Sequence, residues 1–110
     1  MTTTYSEASQ AIDDAIAAIQ KAQESASGSQ QLILLDIVEI LLCERIALNV
    51  RNLAQSNSTY VALTDGILTA NEKLEGLTDD IKELVRAAEH AAQVAGAFAR
   101  VGQLATNDAL

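Results

Sequence analysis

The chain has 110 residues, a formal net charge of −8 and 49% apolar residues, with one cysteine, one histidine, three aromatic residues and no proline or tryptophan. Its seven basic residues are scattered among fifteen acids, which argues against direct nucleic-acid binding and against docking on an anionic membrane. One cysteine closes no internal disulfide, and a chain this long can bury a core without a staple, as a single domain over 1–110.

The opening residues lack the basic and apolar stretches of a Sec signal peptide. The longest apolar run, residues 32–43, reaches about 18 Å as a helix, short of a membrane span. These features lead to the expectation of a soluble protein, cytoplasmic or exported without a Sec signal. The acidity favours solubility or a basic partner.

The apolar spacing is helical nearly throughout, and the fold class expected is all-α. A first helix is predicted over 5–25. Thr4 and Glu7 stand in the capping-box relation at its start. Tyr5, Ala8, Ile12, Ala15, Ile19, Ala22 and Ala26 step by three and four along one face, with Asp13, Asp14, Lys21 and Glu24 away from it. Gly28 suits a left-handed cap at its end.

A second helix is predicted over 30–55. Residues 32–43 are apolar almost all round, with Asp36 and Glu39 as a narrow wet edge, which reads as a central helix. Cys43 reads as a small core residue, with a redox or disulfide-linked dimer role as the lesser reading. Arg45, Asn49 and Asn52 share a face; they either fix register in an interface or mark where the helix emerges into water. A loop over 55–59 follows, with Ser58 or Thr59 as the next cap.

The third helix is predicted over 60–105, with 106–110 frayed. A heptad seam runs in phase from Tyr60 through Leu63, Ile67, Ala70, Leu74, Leu77, Ile81, Leu84, Ala88, Ala91, Ala95, Phe98, Gly102 and Ala105, a coiled-coil signature. Beyond residue 87 the seam is rich in alanine and glycine, which lets backbones approach closely, and Val85, Val94 and Val101 widen its apolar face. Unbroken, the helix would be about 69 Å long. It would overhang its partners and leave apolar surface in water, so a homo-oligomeric bundle or coiled coil is expected. The alternative is a monomeric four-helix bundle with a break near Gly76, where Thr78, Asp79 and Asp80 resemble a helix start. Asp65-Gly66 is a second weak point.

Constellations for chemistry are sparse. His90 has Ala87 three residues before it, so no Glu-x-x-His pair exists for a di-metal bundle, and it reads as a solvated surface histidine. Zinc would need several Cys or His ligands, and no glycine-rich loop follows a strand to cradle phosphate. No catalytic, cofactor or metal site is expected, and the chain reads as a non-enzyme. The acids Glu72, Glu75, Asp79, Asp80 and Glu83 form a ridge that is either a solvated outer face or a partner face for a basic protein.

The function expected is a protein–protein interaction module. It would self-associate or bind a helical partner through Leu74, Leu77, Ile81, Leu84, Ala88, Ala91, Ala95 and Phe98, as an adaptor, chaperone or secretion-type assembly component. Two other readings remain. One is a small acidic inhibitor of a nucleic-acid-handling protein, of the anti-restriction or anti-CRISPR kind; the other is the soluble form of a membrane-active helical toxin component.

Overall fold

In the computed structural model, residues 3–26, 28–77 and 88–106 are described. They form four helices: α1 (Tyr5–Ser25), α2 (Gly28–Val50), α3 (Gly66–Leu77) and α4 (Ala88–Thr106). Helix α1 packs against α2 and α4, and α3 packs against the same two, so the four make a closed ring. Arg45 in the second half of α2 reaches Asp13 in the first half of α1, and Lys73 in the second half of α3 reaches Asp36 in the first half of α2, as in antiparallel neighbours. The described residues build an all-helical fold around one core, as the periodicity predicts.

Helix α1 occupies the predicted residues because the signals that define it are local. Thr4 Oγ1 accepts the Glu7 amide at 3.2 Å, and Glu7 Oε1 accepts the Thr4 amide at 3.2 Å. The amides of Tyr5 and Ser6 donate to the carbonyls of Ser58 and Ser56, each at 2.9 Å, and the Ala8 amide donates to Thr4 at 2.9 Å. The four amides that a helix start leaves without intrahelical partners are thus all satisfied. Ala8, Ile12, Ala15, Ile19 and Ala22 are buried along the expected seam, and Ala11 and Ile16 widen it. Gly28 is left-handed at φ +61°, but it opens α2; the cap of α1 is the extended Ala26, whose amide donates to Ala22 and Gln23.

Helix α2 ends earlier than the predicted residue 55. Asn52 takes the left-handed conformation (φ 58°), its amide donating to Asn49 at 3.1 Å, and the Leu53 amide donates to Leu48 at 2.9 Å. This is a Schellman motif with asparagine in the position usually held by glycine. Asn52 is therefore the stop signal of the helix. Arg45 and Asn49 pair with each other, Nη1 to Oδ1 at 2.6 Å, while Arg45 Nε holds Asp13 at 2.9 Å.

The helix expected over 60–105 is not continuous from its start. Residues 51–65 form a loop, and α3 begins at Gly66. Thr59 forms an antiparallel bridge with Thr4 instead of capping a helix, and the Tyr60 amide donates to Thr3 at 2.8 Å. At the true start, Asp65 accepts the Thr69 amide at 3.2 Å and Thr64 Oγ1 accepts the Gly66 amide at 3.1 Å. A Cβ at Gly66 would stand 2.6 Å from Ile40 Cγ2, so glycine permits α3 to begin this close to α2.

Helices α3 and α4 lie side by side, with Asn71 Oδ1 3.3 Å from where a Cβ of Gly102 would sit. The body is 38 Å long with a radius of gyration of 13.5 Å, so it holds no straight 69 Å helix, and the overhang that motivated an oligomer disappears. The expected break near Gly76 concerns residues 78–87, which lie outside the described residues; Gly76 itself is in α3.

The seam holds in α3, where Ile67, Ala70 and Leu74 are buried, and rotates in α4. There Val94, Ala97, Phe98, Val101 and Leu104 are buried while Ala95 is exposed and Gly102 half-buried. The larger apolar side chains gain more from leaving water than alanine or glycine does, so they set the inward face.

Candidate interaction surface

Helix α2 presents two apolar faces, and the described helices pack against only one of them. Leu34, Ile37, Val38, Leu41 and Leu48 are buried against α1 and α3. On the opposite side Leu32 is 68% exposed, Leu35 40%, Leu42 41%, Ile46 57% and Val50 74%. They step by three, seven, four and four residues, which keeps them on one side of the helix, so they line one outward stripe about 27 Å long at 1.5 Å per residue. The expectation that α2 is central is thereby corrected. In a four-membered ring no helix is surrounded, and a helix that is apolar all round must leave one face in water.

Cys43 belongs to this outer face and is a free, exposed thiol, not the core residue expected. Glu39 lies on the same line, seven residues from both Leu32 and Ile46, and is exposed. Asp36 and Glu39 thus form the wet edge that the sequence indicates, but apolar residues share it.

The inner face of α2 carries one acid. Glu44 is completely buried. Its Oε2 accepts the Tyr60 hydroxyl at 2.7 Å and the Leu63 amide at 2.9 Å; its Oε1 accepts the Thr64 amide at 2.9 Å and the Thr64 hydroxyl at 2.8 Å. Four donors converge on the two oxygens, which compensates a burial that is otherwise costly. The carboxylate is thereby a clamp on the 60–64 loop. A signal for it exists in the sequence: positions 34, 37, 41, 44 and 48 step along one buried stripe, and an acid on such a stripe must find partners. Tyr60 completes the junction, its ring edge-on to Tyr5 with centroids 5.6 Å apart.

The residues singled out by the seam are divided. Leu74 and Phe98 lie in the chain's own core, and Ala95 is exposed. Leu77, Ala88 and Ala91 are helical in backbone, but their side chains are outside the described set, as is that of His90. Ile81 and Leu84 lie outside the described residues, as do Asp79, Asp80 and Glu83 of the acidic ridge; Glu72 and Glu75 are exposed on α3. Among the described residues, no group of three His, Cys, Asp or Glu side chains is placed to hold a metal ion.

A second surface feature is a groove of about 560 Å3 between α1 and α4. Ala11, Ala15, Ala17, Ala18, Gly96 and Ala97 line it together with Asp14, Lys21, Gln93 and Arg100. It follows from the small residues of the two helices, which leave the space between their backbones unfilled.

No family model, curated protein or solved structure matches this chain. Its own surface is therefore the guide to its function. Among the described residues, no helix is long and apolar enough to cross a membrane.

Proposed function

We propose that this chain is a helical protein–protein interaction module, of adaptor or chaperone type, whose contact surface is the outer face of α2. The observation that carries the reading is the exposed line of Leu32, Leu35, Leu42, Ile46 and Val50. An ordered apolar stripe about five helical turns long is a typical mark of a site that another protein covers. Recognition is of the zipper-like kind, an apolar helix face laid along a partner, with Leu32, Leu35, Leu42, Ile46 and Val50 as anchors.

This reading relocates the contact from the C-terminal seam. Leu74 and Phe98 contribute to the chain's own core, so a partner would reach them only by opening the bundle. The stripe on α2 is available without any rearrangement.

The native cysteine provides the test. Cys43 is the only cysteine and lies within the stripe. A maleimide-benzophenone label there places a photo-crosslinker on the surface without a mutation. In extracts of the cells that make the protein, an adduct should form that excess unlabelled wild type competes away and excess Ile46→Lys does not. Equal competition by Ile46→Lys would remove α2 as the contact surface.

A further inference from the structure

The outer face of α2 contains one charge that has no partner among the described residues. Of the charged side chains near it, Asp36 pairs with Lys73 of α3 at 3.0 Å and Arg45 pairs with Asp13 of α1 at 2.9 Å. Glu39 has no hydrogen bond or ion pair among the described residues. It sits near the middle of the stripe, between Leu35 and Leu42 and in line with Leu32 and Ile46. Any partner that covers the stripe removes water from this carboxylate. A carboxylate left buried and unpaired is strongly unfavourable, so the occupant must bring a compensating group.

A second copy of this chain, paired stripe to stripe, does not bring one. In a parallel pairing of two α2 stripes, Glu39 meets Glu39. In an antiparallel pairing centred on the stripe, the two Glu39 side chains lie about one helical turn apart. Both arrangements desolvate like charges together, between chains that each carry a net −8. We propose that the occupant is an amphipathic helix of another protein, with a lysine or arginine in the middle of its apolar face, placed to pair with Glu39. The proposal rests on the reading of α2 as the contact surface and adds the chemistry of what binds there. The remaining acidity of the chain draws such a partner in and disfavours acidic competitors.

The test uses the full chain and two synthetic amphipathic helical peptides of about five turns, the length of the stripe. They are identical except at the centre of the leucine face, where one carries lysine and the other glutamate. Binding is read by fluorescence anisotropy. The lysine peptide should bind wild type at least about tenfold more tightly than its twin. Glu39→Lys should reverse that preference, and Ile46→Lys should weaken both peptides. Circular dichroism verifies that each variant is folded. If both peptides bind wild type alike, or neither binds, the proposed recognition is overturned. If the lysine peptide is still preferred by Glu39→Lys, net charge and not Glu39 is responsible, and the proposal again fails. If light scattering finds a wild-type dimer that Ile46→Lys dissolves, the occupant is a second copy; the α2 surface then stands and the basic-helix proposal falls. If Ile46→Lys leaves the binding of both peptides unchanged, the α2 reading itself fails.

Discussion

Tyr60 donates its hydroxyl to Glu44 at 2.7 Å, with both side chains fully buried. This bond joins the 51–65 loop to the inner face of α2. The neighbouring bonds from Leu63 and Thr64 to the same carboxylate hold the chain out of the helix that its spacing would otherwise form.

Replacing Glu44 by alanine should therefore cost about 3 kcal/mol or more, because four donors lose their acceptor in a buried setting. Tyr60→Phe removes one donor and leaves the carboxylate three others, so its cost should be about 1–2 kcal/mol. Urea denaturation followed by circular dichroism measures both. A Glu44→Ala protein as stable as wild type would mean that the loop is held by something else.

Two glycines should respond in opposite directions. Gly66→Ala drives a Cβ to 2.6 Å from Ile40 Cγ2 and should cost about 1–3 kcal/mol. Pairing it with Ile40→Ala should give less than the sum of the two losses, since the clash is then gone. A methyl group placed on Gly96 would meet nothing within 4 Å, so Gly96→Ala should gain about 0.5–1 kcal/mol through helix propensity. Denaturation midpoints of the four proteins decide this.

The end of α2 makes a third case. Asn52 holds φ 58°, where a Cβ is strained and glycine is not. Asn52→Gly should raise the thermal midpoint slightly, and Asn52→Ala should lower it by about 4 °C, the shift for a loss near 1 kcal/mol. An unchanged midpoint in Asn52→Ala would show that the Schellman turn tolerates a different local backbone.

The two faces of α2 should separate cleanly. Leu41 is fully buried and Ile46 is 57% exposed. Leu41→Ala should cost about 2–5 kcal/mol. Ile46→Lys, although chemically the larger change, should stay within about 0.5 kcal/mol of wild type. The same equilibrium unfolding measurement reads both. A large loss in Ile46→Lys would mean that this side chain supports the fold and is not a free surface.

What can be read from the sequence is what depends on residues close together in it. Helix α1 is legible to its ends, because its capping box and its seam involve positions three and four apart. The all-helical class, the buried stripe of α3 and the solvated acids of α1 follow from the same short-range periodicity. Asp65-Gly66 is visible as a weak point, and it is where α3 begins. The tertiary structure decides the rest. Residues 60–64 have helical spacing, yet an acid sixteen to twenty residues away captures their donors. Helix α4 turns its valines inward because neighbouring helices offer burial to the larger side chains. Whether an apolar residue on α2 is core or surface depends on how many helices surround it, and periodicity does not count neighbours. The ring of four leaves the outer side of α2 uncovered, and this makes Leu32, Leu42 and Ile46 a surface instead of a core.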